Sequence, residues 1–367
     1  MVRFKLLCCL FLLTACARPG PSTLALVEPF SGAKTVSILV ATNREAANDD
    51  HGSFTAGRSD KLHYLEVTVS IPPGHKPPEI EWPTGAPDAA RSFAVIGRKE
   101  LTRISFVERT RARRNDTPVG IFVHGYNYSY QEALFRLAQM SADSAADDVP
   151  ILFDWPSQGS ATGYVADRDA AAFARDDLAF VLTDLSGAKV RSIVMAHSMG
   201  AWLAVETVRQ LSLTGREDVL ASIEQLVLAA PDIDVDLLRK QLSVTANLQN
   251  PIIVLTAKDD LALALSRRLA GSTGTAGELD INDSRTRELA LQENLQIVDI
   301  SNLPSINGSN HDRFASLAAT YPQLRNERQL NPVAGTGMLV LNGVRSAVNA
   351  PFRSFGKQWI AAPVWSQ

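Results

Sequence analysis

The chain is 367 residues long, 46% of its residues are hydrophobic, and its formal net charge is −3 at pH 7. A chain of this length and composition can bury a sizeable core, either as one large domain or as two smaller ones. Because 36 basic residues are balanced by 39 acidic ones, there is no basic excess, and no nucleic-acid partner is expected.

The first fifteen residues are predicted to be a secretory signal peptide. Arg3 and Lys5 precede an apolar run over residues 6–13 that is too short to span a bilayer. The following LTAC, residues 13–16, resembles the bacterial lipobox, in which the cysteine is lipidated and becomes the mature N-terminus. A leader ending in a coincidental cysteine is the alternative. The resemblance implies a lipid anchor on Cys16.

The segment after the cysteine indicates how the protein is held. Ala17 is not the aspartate that commonly signals inner-membrane retention, so an outer-membrane anchor facing the periplasm is expected for a Gram-negative source. Residues 18–29 contain three prolines and one glycine, a composition typical of a linker, so residues 16–33 are predicted to form a tether. Cysteine occurs only at positions 8, 9 and 16, and the body of the protein can therefore form no internal disulfide.

From residue 34 onward, predicted strands and helices alternate. The predicted strands cover residues 35–41, 62–71, 93–96, 104–107, 119–123, 150–153, 190–196, 225–230, 252–257 and 296–300. The helical patterns lie near residues 130–141, 167–185, 199–211, 234–241 and 261–270. This alternation predicts an α/β domain over residues 34–325, with a mostly parallel central sheet and helices on both faces. Residues 326–367 are left as a C-terminal extension.

The motif AHSMG, residues 196–200, suggests a serine nucleophile. Ser198 follows a predicted strand and precedes a helical pattern, which is the context of a nucleophile elbow. The usual pattern is G-x-S-x-G, and here Ala196 takes the place of the first glycine, where a tight turn needs a small residue. The alternative is that Ser198 is an ordinary N-cap of the following helix.

A serine nucleophile needs a base and an orienting acid, and in this architecture they follow it in the order acid, then histidine. His311 is the only one of the six histidines after Ser198, so it is the predicted base; a solvated loop histidine is the alternative. Asp260 is the favoured acid, with Asp259 and Asp232 as alternatives. Of the two neighbouring aspartates, one is expected to face the histidine and the other to cap the helix that begins at Leu261.

Backbone amides are expected to form the oxyanion hole. One donor is predicted to be the amide of Met199, directly after the nucleophile. The other is predicted to be Tyr126, in a loop where Gly125 allows an unusual turn. His124 is expected to be a hydrogen-bonded structural residue, and the side chain of His197 is expected to pack in the core.

Several motifs in order over residues 36–320 give the chain a family resemblance. They are ATNR (41–44), FVHGYN (122–127), DWPS (154–157), AHSMG (196–200), AAPDID (229–234) and DLAL (260–263). With them the chain resembles the α/β-hydrolases, and more narrowly a bacterial family of α/β-hydrolases of unknown function. The resemblance implies the α/β-hydrolase fold and favours Asp260 over Asp259. It departs before His311, where glycine is expected and Asn310 stands.

The sequence therefore predicts a lipid-anchored serine hydrolase that acts on an ester or similar acyl bond of a small-molecule or lipid substrate. No metal or organic cofactor is expected. The competing hypothesis is a non-catalytic envelope lipoprotein that uses a hydrolase scaffold to bind a partner or a lipid.

Overall fold

The structure is a computed structural model that describes residues 18–113, 117–144, 149–245, 248, 250–271, 274–326 and 339–340. Cys16, the leader and most of the C-terminal extension lie outside these residues. The signal peptide, the lipidation and the extension therefore stay predictions.

Ten strands form one mixed sheet in the described part of the chain. They are β1 Lys34–Ala46, β2 Phe54–Ile71, β3 Ala94–Leu101, β4 Val119–Val123, β5 Pro150–Asp154, β6 Ser192–His197, β7 Ile223–Ala229, β8 Ile252–Thr256, β9 Leu295–Asp299 and β10 Leu339–Val340. Their order across the sheet is β10-β9-β8-β7-β6-β4-β5-β1-β2-β3. Neighbours from β10 to β1 pair in parallel, whereas β2 pairs antiparallel with both β1 and β3.

The helices cover both faces of this sheet. They are α1 Arg103–Arg113, α2 Tyr130–Ser144, α3 Tyr164–Gly187, α4 Met199–Leu213, α5 Glu217–Leu220, α6 Val235–Leu242, α7 Leu261–Ala270, α8 Ser284–Gln292 and α9 Arg313–Asn326, with 3-10 turns at Pro21–Leu24 and Ala276–Glu278. One core cluster contains residues of α2 and α9. The other contains residues of α3, α4, α6 and α8. The predicted mostly parallel sheet with helices on both faces is confirmed.

The burial of the strands explains why most of them were predictable. All residues of β4, β5 and β8 are buried, and a strand covered on both faces becomes a continuous apolar run. The strand predicted over residues 104–107 is wrong, because these residues lie in α1. There Phe106 and Thr110 are buried while Ile104 is 70% exposed. Burial at positions i and i+4 is the helical spacing, and a short apolar run does not reveal it.

Residues 18–29 are not a free linker. Thr23 and Leu24 are buried, the amide of Val27 donates to the carbonyl of Val95 at 3.0 Å, and Leu26 forms a parallel bridge with Val95. Proline-rich composition predicts irregular backbone correctly, but irregular backbone can still pack against a sheet edge. Among the described helices, none combines the length and the apolar character that crossing a membrane would require.

Candidate active site

Ser198 occupies a sharp turn between β6 and α4. Its backbone angles are φ 54° and ψ −122°, and its side chain makes no capping hydrogen bond to α4. An ordinary N-cap has extended backbone and a side-chain bond to the helix, so the N-cap interpretation of Ser198 does not fit. A non-glycine residue in this region costs on the order of 1–3 kcal/mol. Such a strained strand-to-helix turn is the geometry of a nucleophile elbow.

Two small residues let this turn form. A Cβ at Gly200 would lie 2.2 Å from the carbonyl oxygen of His124 and 2.7 Å from that of Val123, so only glycine lets α4 approach the end of β4. Ala196 lies in regular strand β6, where it pairs with Val123 and Leu228. Its place in the motif needs a small side chain rather than a special backbone angle, which explains why alanine can stand there.

His311 and Asp260 form a close pair at the same edge of the sheet. Asp260 follows β8, and its Oδ2 lies 2.7 Å from His311 Nδ1. The carboxylate is fully buried, and the imidazole is 16% exposed. Because a carboxylate accepts, Nδ1 of His311 carries the proton, which leaves Nε2 as the basic nitrogen of the neutral ring. The ring of His197, the residue before Ser198, lies 4.5 Å from the ring of His311 between centroids, so His311 lies beside the elbow.

The other two candidate acids have different partners. Asp259 forms an ion pair with Arg313, with Nη2 2.8 Å from Oδ2. The hydrogen bond and charge of Arg313 hold the pKa of Asp259 below its usual value. Asp232 accepts hydrogen bonds from Ser266 at 2.7 Å and from Tyr164 at 3.0 Å. Burial raises the pKa of Asp232, an effect that the two hydroxyl donors partly offset.

Asp260 alone contacts His311 and caps α7, two roles that the sequence analysis assigned to two different aspartates. Its Oδ2 faces His311, and its Oδ1 accepts from the amide of Leu263 at 3.0 Å as the N-cap of α7. The expectation that the cap and the partner of the histidine are separate residues is wrong. A carboxylate has two oxygens and can serve a helix end and an imidazole at once.

The loop after β4 passes directly over Ser198. A Cβ at Gly125 would lie 2.9 Å from Ser198 Cβ and 2.8 Å from His197 Nδ1. His124 is fully buried, and its Nδ1 donates to the carbonyl of Gly125 at 2.9 Å. A trans peptide holds its C=O and N–H in opposite directions. Because the Gly125 carbonyl turns toward His124, the amide of Tyr126 in the same peptide unit turns away from it.

A buried ion pair between Arg44 and Asp154 supports the loop after β4. Arg44, on β1, is 1% exposed and donates from Nε to Asp154 Oδ2 at 2.9 Å. Its Nη2 donates to the carbonyl of Tyr128 at 3.0 Å, and its Nη1 to that of Ser157 at 2.8 Å. Burial raises the pKa of Asp154. The charge of Arg44 and the bonds from His124 and Thr42 lower it by more, so the pKa lies below its usual value.

A second carboxylate ties the loops after β4 and β5 together. Asp167, buried in the first turn of α3, accepts from the amide of Asn127 at 3.1 Å and from the hydroxyl of Ser157 at 2.5 Å. The Ser157 oxygen in turn accepts from the amide of Tyr128 at 3.1 Å. Together with the bond from His124 to the Gly125 carbonyl, these contacts fix the backbone on both sides of Tyr126 by buried side chains.

Replacing Arg44 with methionine is expected to lower the free energy of unfolding by about 3–5 kcal/mol, because Asp154 loses its cation in a buried position. The folded pKa of Asp154 is lowered, so its stabilisation is full above the unfolded value near 4 and is lost as the pH falls through the folded value. Urea unfolding at pH 7 and at several pH values below 4 would show a difference between the two proteins that shrinks as Asp154 takes up a proton. The double variant Arg44→Met/Asp154→Leu should recover much of the loss, and a double variant as weak as the single one would contradict this account.

His197 packs in the core as expected and also holds His311. Its ring stacks on Phe314 with centroids 4.2 Å apart, and its Nε2 donates to the carbonyl oxygen of His311 at 3.1 Å. Burial lowers the pKa of His197 well below its ordinary value, and the charge that His311 can carry adds to this. A neutral ring is therefore fixed under the backbone of His311, and the five-residue motif gave no sign of that contact.

His197→Phe keeps the ring stack and removes the hydrogen bond to His311. Its stability should therefore depend on pH differently from that of the wild type. Because the folded pKa of His197 is lowered, its stabilisation is full above about pH 6.5 and falls by up to ~1.4 kcal/mol per pH unit below that. Urea unfolding between pH 7.5 and 5.5 should show a shallower acid loss in His197→Phe than in the wild type. Parallel curves would contradict the role given to His197.

A cleft of about 390 Å³ opens at the start of α4. Met199, Trp202 and Leu237 give it an apolar wall, and Arg168, Asp232 and Arg267 lie on its polar side. The guanidinium carbon of Arg168 lies over the ring of Trp202, 5.7 Å from the ring centroid. The cleft can hold an apolar group beside Met199, the residue after Ser198, and a polar group across from it.

A mostly parallel sheet covered on both faces, with a strained serine turn after a central strand, defines an α/β-hydrolase. More narrowly, residues 102–328 match the family described as "Alpha/beta hydrolase of unknown function (DUF900)", and the chain belongs to that family. No curated protein matches the chain.

Two solved structures are similar to it at low level. One is an esterase of Pyrobaculum calidifontis, at 13% identity and TM-score 0.31, covering 81% of this chain and 87% of that chain. The other is one of two fungal esterases from Rhizomucor miehei, at 14% identity and TM-score 0.28, covering 92% of this chain and 81% of that chain.

Proposed function

We propose that this protein is a membrane-anchored serine hydrolase that cleaves an ester or a similar acyl bond. The observation that carries the proposal is the strained Ser198 turn with the Asp260–His311 pair beside it. Backbone strain is tolerated where surrounding structure enforces it, and it concentrates at active sites. A scaffold that only bound a partner would have no need for a strained serine next to a histidine fixed by a buried carboxylate.

In the proposed reaction, Ser198 Oγ attacks the acyl carbonyl carbon while His311 Nε2 takes the hydroxyl proton. Asp260 holds the imidazole in the tautomer that leaves Nε2 basic. The bond to the leaving alcohol breaks as His311 returns the proton to it. Water then attacks the acyl-enzyme by the same route and releases the acid.

The oxyanion is assigned to the amides of Met199 and Tyr126. Met199 is the first residue of α4, and the first amides of a helix have no partner within it. The support for Tyr126 is the position of Gly125 over Ser198 and the orientation of its carbonyl toward His124. Fixed donors of this kind stabilise developing charge without reorganising during the reaction.

The anchoring half of the proposal depends on Cys16 and its leader. Each buried methylene of the diacyl and amide-linked chains contributes about 0.8 kcal/mol of membrane-binding free energy, and together these chains hold a protein firmly on a bilayer. Metabolic labelling with an alkyne fatty acid should tag the wild-type protein in a bacterial host and leave Cys16→Ser untagged. Equal labelling of both proteins would contradict the proposal that Cys16 carries the lipid anchor.

The catalytic half is tested with a water-soluble ester such as p-nitrophenyl butyrate. The folded wild-type protein should release nitrophenol with saturable kinetics above the rate without enzyme. A folded protein with no turnover on short acyl esters and thioesters would favour the non-catalytic alternative, a scaffold that binds a partner or a lipid.

A further inference from the structure

The first described residue is clamped to the loops that surround the candidate oxyanion hole. The guanidinium of Arg18 donates to both the carbonyl and the side-chain oxygen of Asn127, the residue after Tyr126. It also donates to the carbonyl of Gly159 and, from Nε, to Glu132 at 2.8 Å. These groups lie in the loops after β4 and β5 and at the start of α2, all at the carboxyl edge of the sheet.

This contact limits where a lipid on Cys16 could enter the membrane. Two peptide units separate Cys16 from Arg18, so their Cα atoms are at most about 7 Å apart. The segment that follows is held as well, since the side chain of Gln131 donates to the carbonyl of Pro19 at 2.6 Å and Leu24 is buried. A lipid on Cys16 would therefore be attached within about 7 Å of the Arg18 Cα, and its acyl chains would enter the bilayer close to the loop after β4.

A second apolar feature lies at the same edge. Leu261, Leu265 and Leu269 are 60%, 58% and 64% exposed, and their spacing of four residues places them along one face of α7. Asp260 is the N-cap of this helix, and Ser266 in its middle donates to Asp232 at 2.7 Å. Its C-cap Gly271 lines the cleft. We refer to these three side chains as the leucine stripe.

The two features flank Ser198. The strand order β8-β7-β6-β4-β5 places the Arg18 clamp on the β4–β5 side of β6 and the leucine stripe on the β8 side. Four strand spacings of about 4.8 Å separate β5 from β8, or about 19 Å. An apolar helix face flanking a catalytic edge, with a lipid anchor across from it, is the arrangement of a surface that lies in a membrane interface.

We propose that the carboxyl edge of the sheet docks on the bilayer that holds Cys16, through the leucine stripe, and that the substrate is an acyl ester lipid of that same leaflet. This rests on the proposed function and on the lipid anchor. Ser198 attacks the ester carbonyl of the lipid, the alcohol portion leaves with the proton from His311, and water releases the fatty acid from the enzyme. The acyl chain reaches the cleft without leaving the interface.

The orientation is tested with fluorescent labels, because the mature chain has no cysteine besides Cys16. Leu265→Cys on the stripe and Leu291→Cys, a 62% exposed leucine at the end of α8, each take an environment-sensitive dye. The acylated proteins are placed in vesicles of phosphatidylethanolamine and phosphatidylglycerol with a spin-labelled lipid. Quenching at residue 265 and little at residue 291 is expected. Equal quenching at both positions, or none at 265, would overturn the docking geometry.

The substrate class is tested with the triple variant Leu261→Ser/Leu265→Ser/Leu269→Ser. Its matched control is Leu213→Ser/Leu291→Ser, which changes exposed leucines at the far ends of α4 and α8. The stripe variant should hydrolyse a fluorogenic ester lipid in vesicles at least ~10-fold more slowly than the wild type, with p-nitrophenyl butyrate turnover kept within about 2-fold. The control should match the wild type on both substrates.

The outcomes separate the two proposals. No turnover of p-nitrophenyl butyrate by the wild type would contradict the proposed function itself. Turnover of the soluble ester together with no hydrolysis of vesicle lipid would overturn only the membrane substrate. Unchanged hydrolysis of vesicle lipid by the stripe variant would overturn the role of the leucine stripe in docking on the bilayer.

Discussion

Ser198→Ala is expected to lower kcat/KM on a soluble ester by at least ~10⁴-fold while the protein stays folded. The change removes the hydroxyl of Ser198 and little else. The side chain makes no capping bond, and alanine keeps the same left-handed backbone strain as serine. Hydrolysis of p-nitrophenyl butyrate measures the loss, and urea unfolding shows that the fold is kept.

Ser192→Ala is the matched control for this variant. Ser192 is a buried serine at the other end of the same strand, β6, away from the carboxyl edge. It should retain near wild-type turnover. Residual activity of Ser198→Ala within about tenfold of the wild type would mean that Ser198 is not the nucleophile.

Asp260→Asn is expected to lower kcat by about 10⁴-fold. The asparagine side chain can present an N–H where Oδ2 now accepts from His311, which favours the tautomer that carries its proton on Nε2. That nitrogen could then no longer take the proton of Ser198. The amide oxygen can still accept from the amide of Leu263, so the start of α7 is expected to remain intact.

Asp259→Asn is the matched control because it changes the neighbouring carboxylate, which pairs with Arg313 instead of His311. Its kcat should fall by less than about tenfold. Comparable losses in the two variants, measured on p-nitrophenyl butyrate with urea unfolding alongside, would contradict the assignment of Asp260 as the residue that orients the base.

Chain order and strand ends were enough to predict much of the candidate site. Because only one histidine follows Ser198, the sequence singled out His311, and its pairing with Asp260 across 51 residues agrees with the structure. Their catalytic roles stay a prediction. The parallel strands were predictable because burial on both faces makes each of them a continuous apolar run.

The supporting contacts could not be predicted, because they join side chains that are distant along the chain. Arg44 meets Asp154 across 110 residues, and Arg18 meets Asn127 across 109. An arginine early in a sequence looks like an exposed residue, and nothing in its neighbours reveals that it is buried or clamped. The motif ATNR contained Arg44, but only the fold shows that its guanidinium donates to the carbonyl of Tyr128 in the loop after β4.

The central claim is that Ser198 is an activated nucleophile. Incubation with a fluorophosphonate, followed by mass spectrometry of proteolytic peptides, tests it without any knowledge of the substrate. One phosphonyl adduct on the peptide that contains Ser198 is predicted for the wild type, with none in Ser198→Ala and much slower labelling in His311→Ala. A folded wild-type protein that stays unlabelled, or an adduct that persists in Ser198→Ala, would contradict the claim.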